Sequence, residues 1–205
     1  MNVIRHVNSI YSSNTYVVRL TSREWILVDC GDIHEIVRDA HEENVKISCV
    51  LLTHIHYDHI YGLNELLKEF PNLSICLSEN GIHALYSDKL NYSKYHGTPY
   101  IYTGNNMLLV KGSSVINIGN VDIEIIATPG HTNDSLSYKI NNYLFTGDSY
   151  IPGVKTVTNL RGGNRELAVE SINVILHHFN DNMVLCPGHG EMIKRAELST
   201  YISSC

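Results

Sequence analysis

The sequence predicts an α+β fold: a single domain over residues 1–205, with stacked β-sheets and helices on the outside. Three observations lead there. Segments rich in β-branched and aromatic residues dominate both halves of the chain, amphipathic helical stretches follow some of them, and no linker or low-complexity run interrupts the order. With 43% hydrophobic and 18% charged side chains in 205 residues, the chain can fill one core and lacks the signature of disorder.

The first thirty residues read as a meander of strands at 3–10, 15–20 and 25–29, separated by Ser-Asn and Thr-Ser-Arg breaks. Asp32 followed by Glu35 has the pattern of a capping box, and Ile33, Ile36, Val37 and Ala40 recur at helical spacing. Residues 48–53 carry the run Val50-Leu51-Leu52, which suits a strand covered on both faces. A helix marked by Leu63, Leu66, Leu67 and Phe70 then stops at Pro71. Further strands are expected at 107–111, 114–118, 121–127, 136–140 and 143–146, the last two joined by a hairpin at Asn141-Asn142. A helix at 165–179, a short strand at 183–186 and a final helix at 192–201 complete the reading.

Fifteen Lys and Arg against 21 Asp and Glu give a net charge of -6 without a block of one sign, so no basic stripe for nucleic acid is present. Cys30, Cys49, Cys76, Cys186 and Cys205 are odd in number and lack C-x-x-C spacing, which predicts reduced, mostly buried thiols. The start Met1-Asn2-Val3-Ile4-Arg5 has no signal-peptide pattern and no apolar run approaches a membrane span, so a cytoplasmic protein with no membrane partner is expected.

The chemistry concentrates in Thr53-His54-Ile55-His56-Tyr57-Asp58-His59, at the end of a buried strand. Alternate side chains of extended backbone point the same way, so His54 and His56 can converge while Ile55 packs elsewhere, and the turn into the next helix can aim Asp58 and His59 at the same space. Three imidazoles and a carboxylate there would be desolvated without compensation unless they coordinate an ion. Lone histidines, namely His6, His34, His41, His83, His96, His177 and His178, read instead as ordinary core or surface residues. Three later segments each end an expected strand and carry one ligand type beside glycine: Pro129-Gly130-His131, Thr146-Gly147-Asp148 and Pro187-Gly188-His189. Each alone is an ordinary turn; with the first cluster they form a set.

Over nearly its whole length the sequence resembles the metallo-β-lactamase superfamily, in particular its glyoxalase II-like (hydroxyacylglutathione hydrolase-like) branch. The motif His-x-His-x-Asp-His stands as His54 to His59, and the later motifs match at His131, Asp148 and His189. The resemblance implies an αββα sandwich of two mixed β-sheets flanked by helices. It also implies two divalent metal ions, zinc first with iron or manganese compatible, one held by His54, His56 and His131 and the other by Asp58, His59 and His189, with Asp148 bridging. Val28-Asp29-Cys30-Gly31 resembles the family's early Asp-x-Gly turn, whose aspartate supports the metals from behind. The β-lactamases proper lack the bridging aspartate, so Asp148 points to the thioesterase, lactonase and nuclease branches.

The activity so implied is hydrolysis of an ester, thioester or lactone in a small-molecule substrate. A pair of ions about 3.5–4 Å apart shares a hydroxide that forms near neutral pH, with Asp58 as the catalytic residue that orients it and handles its proton. No G-x-S-x-G, Walker or G-x-G-x-x-G motif supports another chemistry. A mononuclear-iron persulfide dioxygenase and a phosphodiesterase of the same superfamily are the alternatives. About fifteen residues follow His189, where glyoxalase II enzymes carry a helical extension that helps hold glutathione, which weighs against a glutathione thioester as substrate; the family's usual Gly-Gly after the first motif reads Tyr61-Gly62 here. Tyr86, Tyr92, Tyr95, Tyr100 and Tyr102 mark a segment that reads either as a lid or as a surface loop with locally packed tyrosines, and Tyr150 and Arg161 follow the Asp148 loop as surface or substrate-contacting residues.

Overall fold

A computed structural model of the chain describes residues 1–199. The chain forms two compact units, Met1–Val110 and Lys111–Cys205, each built on one six-stranded mixed sheet.

In the first unit the meander β1 (Asn2–Val7), β2 (Asn14–Thr21) and β3 (Glu24–Val28) is followed by α1 (His34–Glu42), β4 (Lys46–Leu51), α2 (Leu63–Glu69), β5 (Ser74–Ser78), the single-turn α3 (Ile82–Leu85) and β6 (Met107–Val110). The strands lie in chain order, antiparallel from β1 to β3 and parallel from β3 to β6. Val28 is level with Leu51, and Leu51 with Cys76, so the carboxyl ends of three parallel strands open at one edge. Trp25, Leu27, Val50, Leu52, Ile75 and Leu77 pack with Ile36 and Ala40 of α1 and Leu63 and Leu66 of α2. Burying each large apolar side chain contributes roughly 1.5–3 kcal/mol, and this layer holds the strand ends in place.

Three expectations change here. The strand expected to reach residue 10 stops at Val7, because Tyr11 and Ser12 turn into left-handed backbone (φ 54° and 55°) and the Asn8 amide closes the turn onto the Ser13 carbonyl. The capping box does not form: Ile33 is the N-cap of α1 without a side-chain bond, and the Asp32 carboxylate accepts instead from the amide and hydroxyl of Ser9. Strand β5 has no counterpart in the expectation. Its Ser-Ile-Cys-Leu-Ser is short, and all but its first residue are buried, so it lacks the alternation that marks a half-buried strand.

In the second unit β7 (Ser114–Ile118), β8 (Val121–Ala127), β9 (Leu136–Ile140) and β10 (Tyr143–Gly147) are successive antiparallel strands, the last two turning at Asn141 with φ 52°. Helix α4 (Arg165–His178) leads to β11 (Val184–Pro187), which pairs parallel to β10, and to β12 (Ile193–Lys194) beyond it. Asn164 caps α4 by accepting from the amides of Glu166 and Leu167. Ile175 and Phe179 pack with Ile126, Leu144, Met183 and Leu185. The helix expected at 192–201 is corrected at its start: Ile193 pairs with Leu185 as strand and Arg195–Glu197 form a 3-10 turn, because the edge of β11 offers backbone partners and a buried place for Ile193. Residues 200–205, including the expected helix end and Cys205, lie outside the described residues. Among the described residues no helix is long and apolar enough to cross a membrane.

Gly130 makes a tight approach in the second unit. Its φ is +138°, and a Cβ there would stand 2.3 Å from the Ala168 nitrogen and 2.4 Å from its Cα, both backbone atoms of α4. Gly130→Ala should therefore lower the unfolding free energy by about 2 kcal/mol or more, whereas Gly190→Ala, at φ +81° with nothing within 4 Å, should cost on the order of 1 kcal/mol. Denaturant titration of the two variants checks the difference.

Candidate metal centre

In the first unit the donors gather where β3 and β4 end. His54 and His56 follow β4 in extended backbone, and a 3-10 turn over Tyr57–His59 lifts Asp58 and His59 toward them. Ring centroids of His54 lie 4.7 Å from His56 and 4.3 Å from His59. His54, His56, Asp58 and His59 are all less than a tenth exposed.

The support beneath them is Asp29, buried and in left-handed backbone (φ 58°) just past β3. Its carboxylate accepts from the Thr53 amide (2.8 Å), the Thr53 hydroxyl (2.8 Å) and Nδ1 of His59 (2.9 Å). Since the Thr53 hydroxyl gives its proton to Asp29, it accepts from Nδ1 of His54 at 3.1 Å. Both rings therefore carry their proton on Nδ1 and turn the Nε2 lone pair toward the cluster. The role expected of Asp29, support rather than ligation, is the one its bonds describe. Thr53 was not singled out by its sequence context; its signal is a hydroxyl immediately before the first histidine.

Backbone ties fix this edge. Cys30 N donates to the His59 carbonyl (2.8 Å), Gly62 N to the Cys30 carbonyl (3.0 Å), and the Ser13 hydroxyl to the Asp58 carbonyl (2.7 Å). Gly62 is required: a Cβ there would meet the Gly31 carbonyl at 2.1 Å. Its neighbour Tyr61 stands in place of the family's first glycine, and burial raises its phenol pKa.

In the tyrosine segment Tyr86 and Tyr95 are exposed, and the rings pair locally, Tyr86 with Tyr102 and Tyr92 with Tyr95. Tyr100 and Tyr102 are buried in the first unit's core. Asn91, fully buried, takes its place through its side chain with the Tyr100 carbonyl and the Ser93 amide, and its own carbonyl accepts from the Tyr57 amide (2.9 Å). That holds Tyr92 in left-handed backbone (φ 67°) with its ring edge-on to His56 at 5.2 Å. Of the remaining histidines, His34 and His41 face Glu65 and Glu69 on the surface, His178 faces Glu124, and His96 lies edge-on to Tyr11 and tilted against Tyr57.

In the second unit the strands end in three donor loops. β10 and β11 are parallel neighbours, and Gly188 N donates to the Gly147 carbonyl (2.8 Å), which sets the Asp148 and His189 turns side by side. The Ser149 hydroxyl donates to the Thr128 carbonyl (3.0 Å), tying the Asp148 turn to the loop that carries His131. Nδ1 of His131 donates to the Val157 carbonyl (2.9 Å), so its Nε2 carries the lone pair. Nε2 of His131 and of His189 lie 3.6 and 3.5 Å from the same oxygen, Oδ2 of Asp148. Tyr150 packs against the apolar cluster beneath, and Arg161 is exposed.

These spacings test whether divalent cations fit. In the first unit Nε2 of His59 stands 3.3 Å from Oδ2 of Asp58. A lone pair and a carboxylate oxygen so close repel one another unless a proton or a cation lies between them, and direct charged hydrogen bonds are shorter, roughly 2.7–2.9 Å. Nitrogen and oxygen ligands about 2.0–2.2 Å from one tetrahedral ion stand roughly 3.3–3.6 Å apart, which is the spacing both units show. The residues fit the metals.

Histidine and aspartate donors at the strand ends of two mixed sheets flanked by helices define a metallohydrolase scaffold. The chain belongs to the metallo-beta-lactamase superfamily, whose family model matches residues 9–189. It is 30% identical over 162 residues to the probable metallo-hydrolase YqgX of Bacillus subtilis strain 168, covering 78% of this chain and 76% of that protein. With the hydroxyacylglutathione hydrolase of Buchnera aphidicola subsp. Baizongia pistaciae it shares 27% identity over 177 residues, 86% of this chain; the match spans 62% of that relative's length. The crystal structure of the B3 metallo-beta-lactamase BLEG-1 superposes with a TM-score of 0.90 at 24% identity, over 99% of each chain, and shows the fold to be the metallo-β-lactamase fold.

Asp29→Asn keeps the size of the side chain but removes its charge and one acceptor from the His54 and His59 relay. Metal affinity should fall by roughly 10–100-fold while the protein stays folded, as read by chelator competition alongside circular dichroism.

Proposed function

We propose that the chain is a dinuclear metallohydrolase that opens an ester, thioester or lactone carbonyl of a small molecule. The observation that carries this is the pair of pre-set donor groups: His54, His56, Asp58 and His59 in the first unit, with the proton positions of His54 and His59 fixed by Asp29, and His131 and His189 converging on one oxygen of Asp148 in the second. In this reading His54, His56 and His131 would hold one ion and Asp58, His59 and His189 the other, with Asp148 the ligand they would share. Membership of the superfamily and relatives described as hydrolases support it.

Bound divalent ions supply Lewis acidity and bring the ionisation of coordinated water close to pH 7. The chain's own residues do the rest. Asp58 gives one carboxylate oxygen to binding and with the other orients the attacking water and accepts its proton. Asp29, through Thr53 and directly, keeps His54 and His59 from rotating or changing tautomer as charge develops beside them. Asp148 balances charge between its two imidazole neighbours.

Cysteine chemistry is disfavoured by burial. Cys30, Cys49, Cys76 and Cys186 are all buried; desolvation pushes the Cys49 thiol up to about 11 and raises those of Cys30 and Cys186 well above the ordinary range. These three thiols stay protonated at neutral pH.

Elemental analysis of the purified protein should give two divalent ions per chain, and a panel of ester, thioester and lactone substrates should show turnover that a chelator abolishes and zinc, iron or manganese restores. One iron per chain with oxygen consumption would replace this reading by the oxygenase alternative. Asp58→Ala should lower kcat by about 100-fold or more while the protein still binds metal; full activity at normal metal content would remove Asp58 from its role.

A further inference from the structure

The second unit holds a cavity of about 540 Å³ that runs from Asp148 and His189 along the segment after the Asp148 turn. That volume lies in the range of small-molecule sites. Ile151, Pro152, Val154, Val157 and Ile193 supply its walls, and among its described lining residues the charged ones are Asp148 at the donor end and Glu191. Val154 and Val157 are 57% and 46% exposed, an unusual use of branched aliphatic side chains unless something covers them.

The wall is rigid. Val154 N donates to the Ile151 carbonyl (3.0 Å), the Thr156 hydroxyl to the Ser149 carbonyl (3.2 Å), and the Val157 carbonyl receives Nδ1 of His131. The Thr156–Val157 end of the wall is thus anchored to the loops that carry Asp148 and His131, and the cavity's position relative to Asp148 is fixed by hydrogen bonds within the unit.

We propose that this cavity takes the aliphatic acyl chain of the substrate, with its carbonyl at the Asp148 and His189 end, so that the preferred substrates are esters or thioesters of unbranched, medium-length fatty acids. This rests on the hydrolase reading above. An apolar wall favours methylenes, and Asp148 and Glu191 disfavour a chain that carries carboxylates of its own.

The test uses the metal-loaded protein and N-acetylcysteamine thioesters of acetyl, butanoyl, hexanoyl and octanoyl groups. The expected result is a kcat/KM that rises roughly two- to fourfold per added methylene. In the double variant Val154→Ser, Val157→Ser the octanoyl-to-acetyl ratio should fall on the order of tenfold, while Val169→Ser, on the exposed side of α4, should keep the wild-type ratio. A flat or falling series, or a double variant with the wild-type slope, overturns the proposal. If no thioester, ester or lactone is turned over, the hydrolase reading fails, and calorimetry decides the cavity separately. Octanoate binding at least tenfold more tightly than acetate, with the preference lost in the double variant, supports it; equal binding overturns it.

Discussion

A buried carboxylate is the constraint on which the rest of the first unit depends. Asp29 sits almost out of water, where an uncompensated charge would cost several kcal/mol by order of magnitude, and it is tolerated because three donors converge on it. Two of those donors belong to Thr53 and one to His59, so satisfying the charge also fixes the direction of two imidazoles. Loss of the carboxylate would leave the Thr53 amide and the His59 Nδ1–H buried without acceptors, which makes the arrangement cooperative: the support and the donors form together or not at all. The left-handed backbone at Asp29 makes this possible, because it turns the side chain from the end of β3 under the end of β4 instead of along the strand.

The second unit solves the same problem with backbone in place of a carboxylate. His131 gives its Nδ1 proton to a main-chain carbonyl, that of Val157, which no substitution of the valine side chain removes. Its loop is pressed against α4 through Gly130, whose missing Cβ is what permits the contact with Ala168. Asp148 and His189 owe their adjacency to the parallel pairing of β10 with β11, since only parallel neighbours end at the same edge and send their following loops the same way.

Much of this was legible in the sequence, for reasons that differ by residue. His54, His56, Asp58 and His59 were visible because four candidate ligands within six residues at the end of an apolar run have no bland explanation. His131, Asp148 and His189 were visible only as a set, each beside the glycine that its turn requires. Most strands of both sheets were readable from β-branched alternation, whereas β5 was hidden by burial on both faces, and β12 by an apolar spacing that fits a helix as well as it fits pairing with β11. The capping box failed at Asp32 because the carboxylate found a nearer pair of donors on Ser9, a contact across 23 residues that no local pattern encodes. The Val157 carbonyl left no trace at all, since a backbone acceptor looks the same in every residue.

His56 completes the account, because it is the one imidazole of the first cluster that Asp29 does not reach through the relay described. Its neighbour is Tyr92, held with φ 67°, a backbone conformation that costs a residue with a Cβ roughly 1–2 kcal/mol. Such a cost persists only where the surroundings over-determine it, and here they do: Asn91 is fully buried, its side chain bonds on both sides, and its carbonyl holds the amide of Tyr57, the residue directly after His56. The same short stretch therefore fixes the chain that leaves His56 and lays an aromatic edge against its ring. Two histidines are set by a carboxylate, the third by packed aromatic and amide groups, and the sequence spends its tyrosine-rich segment on that third restraint.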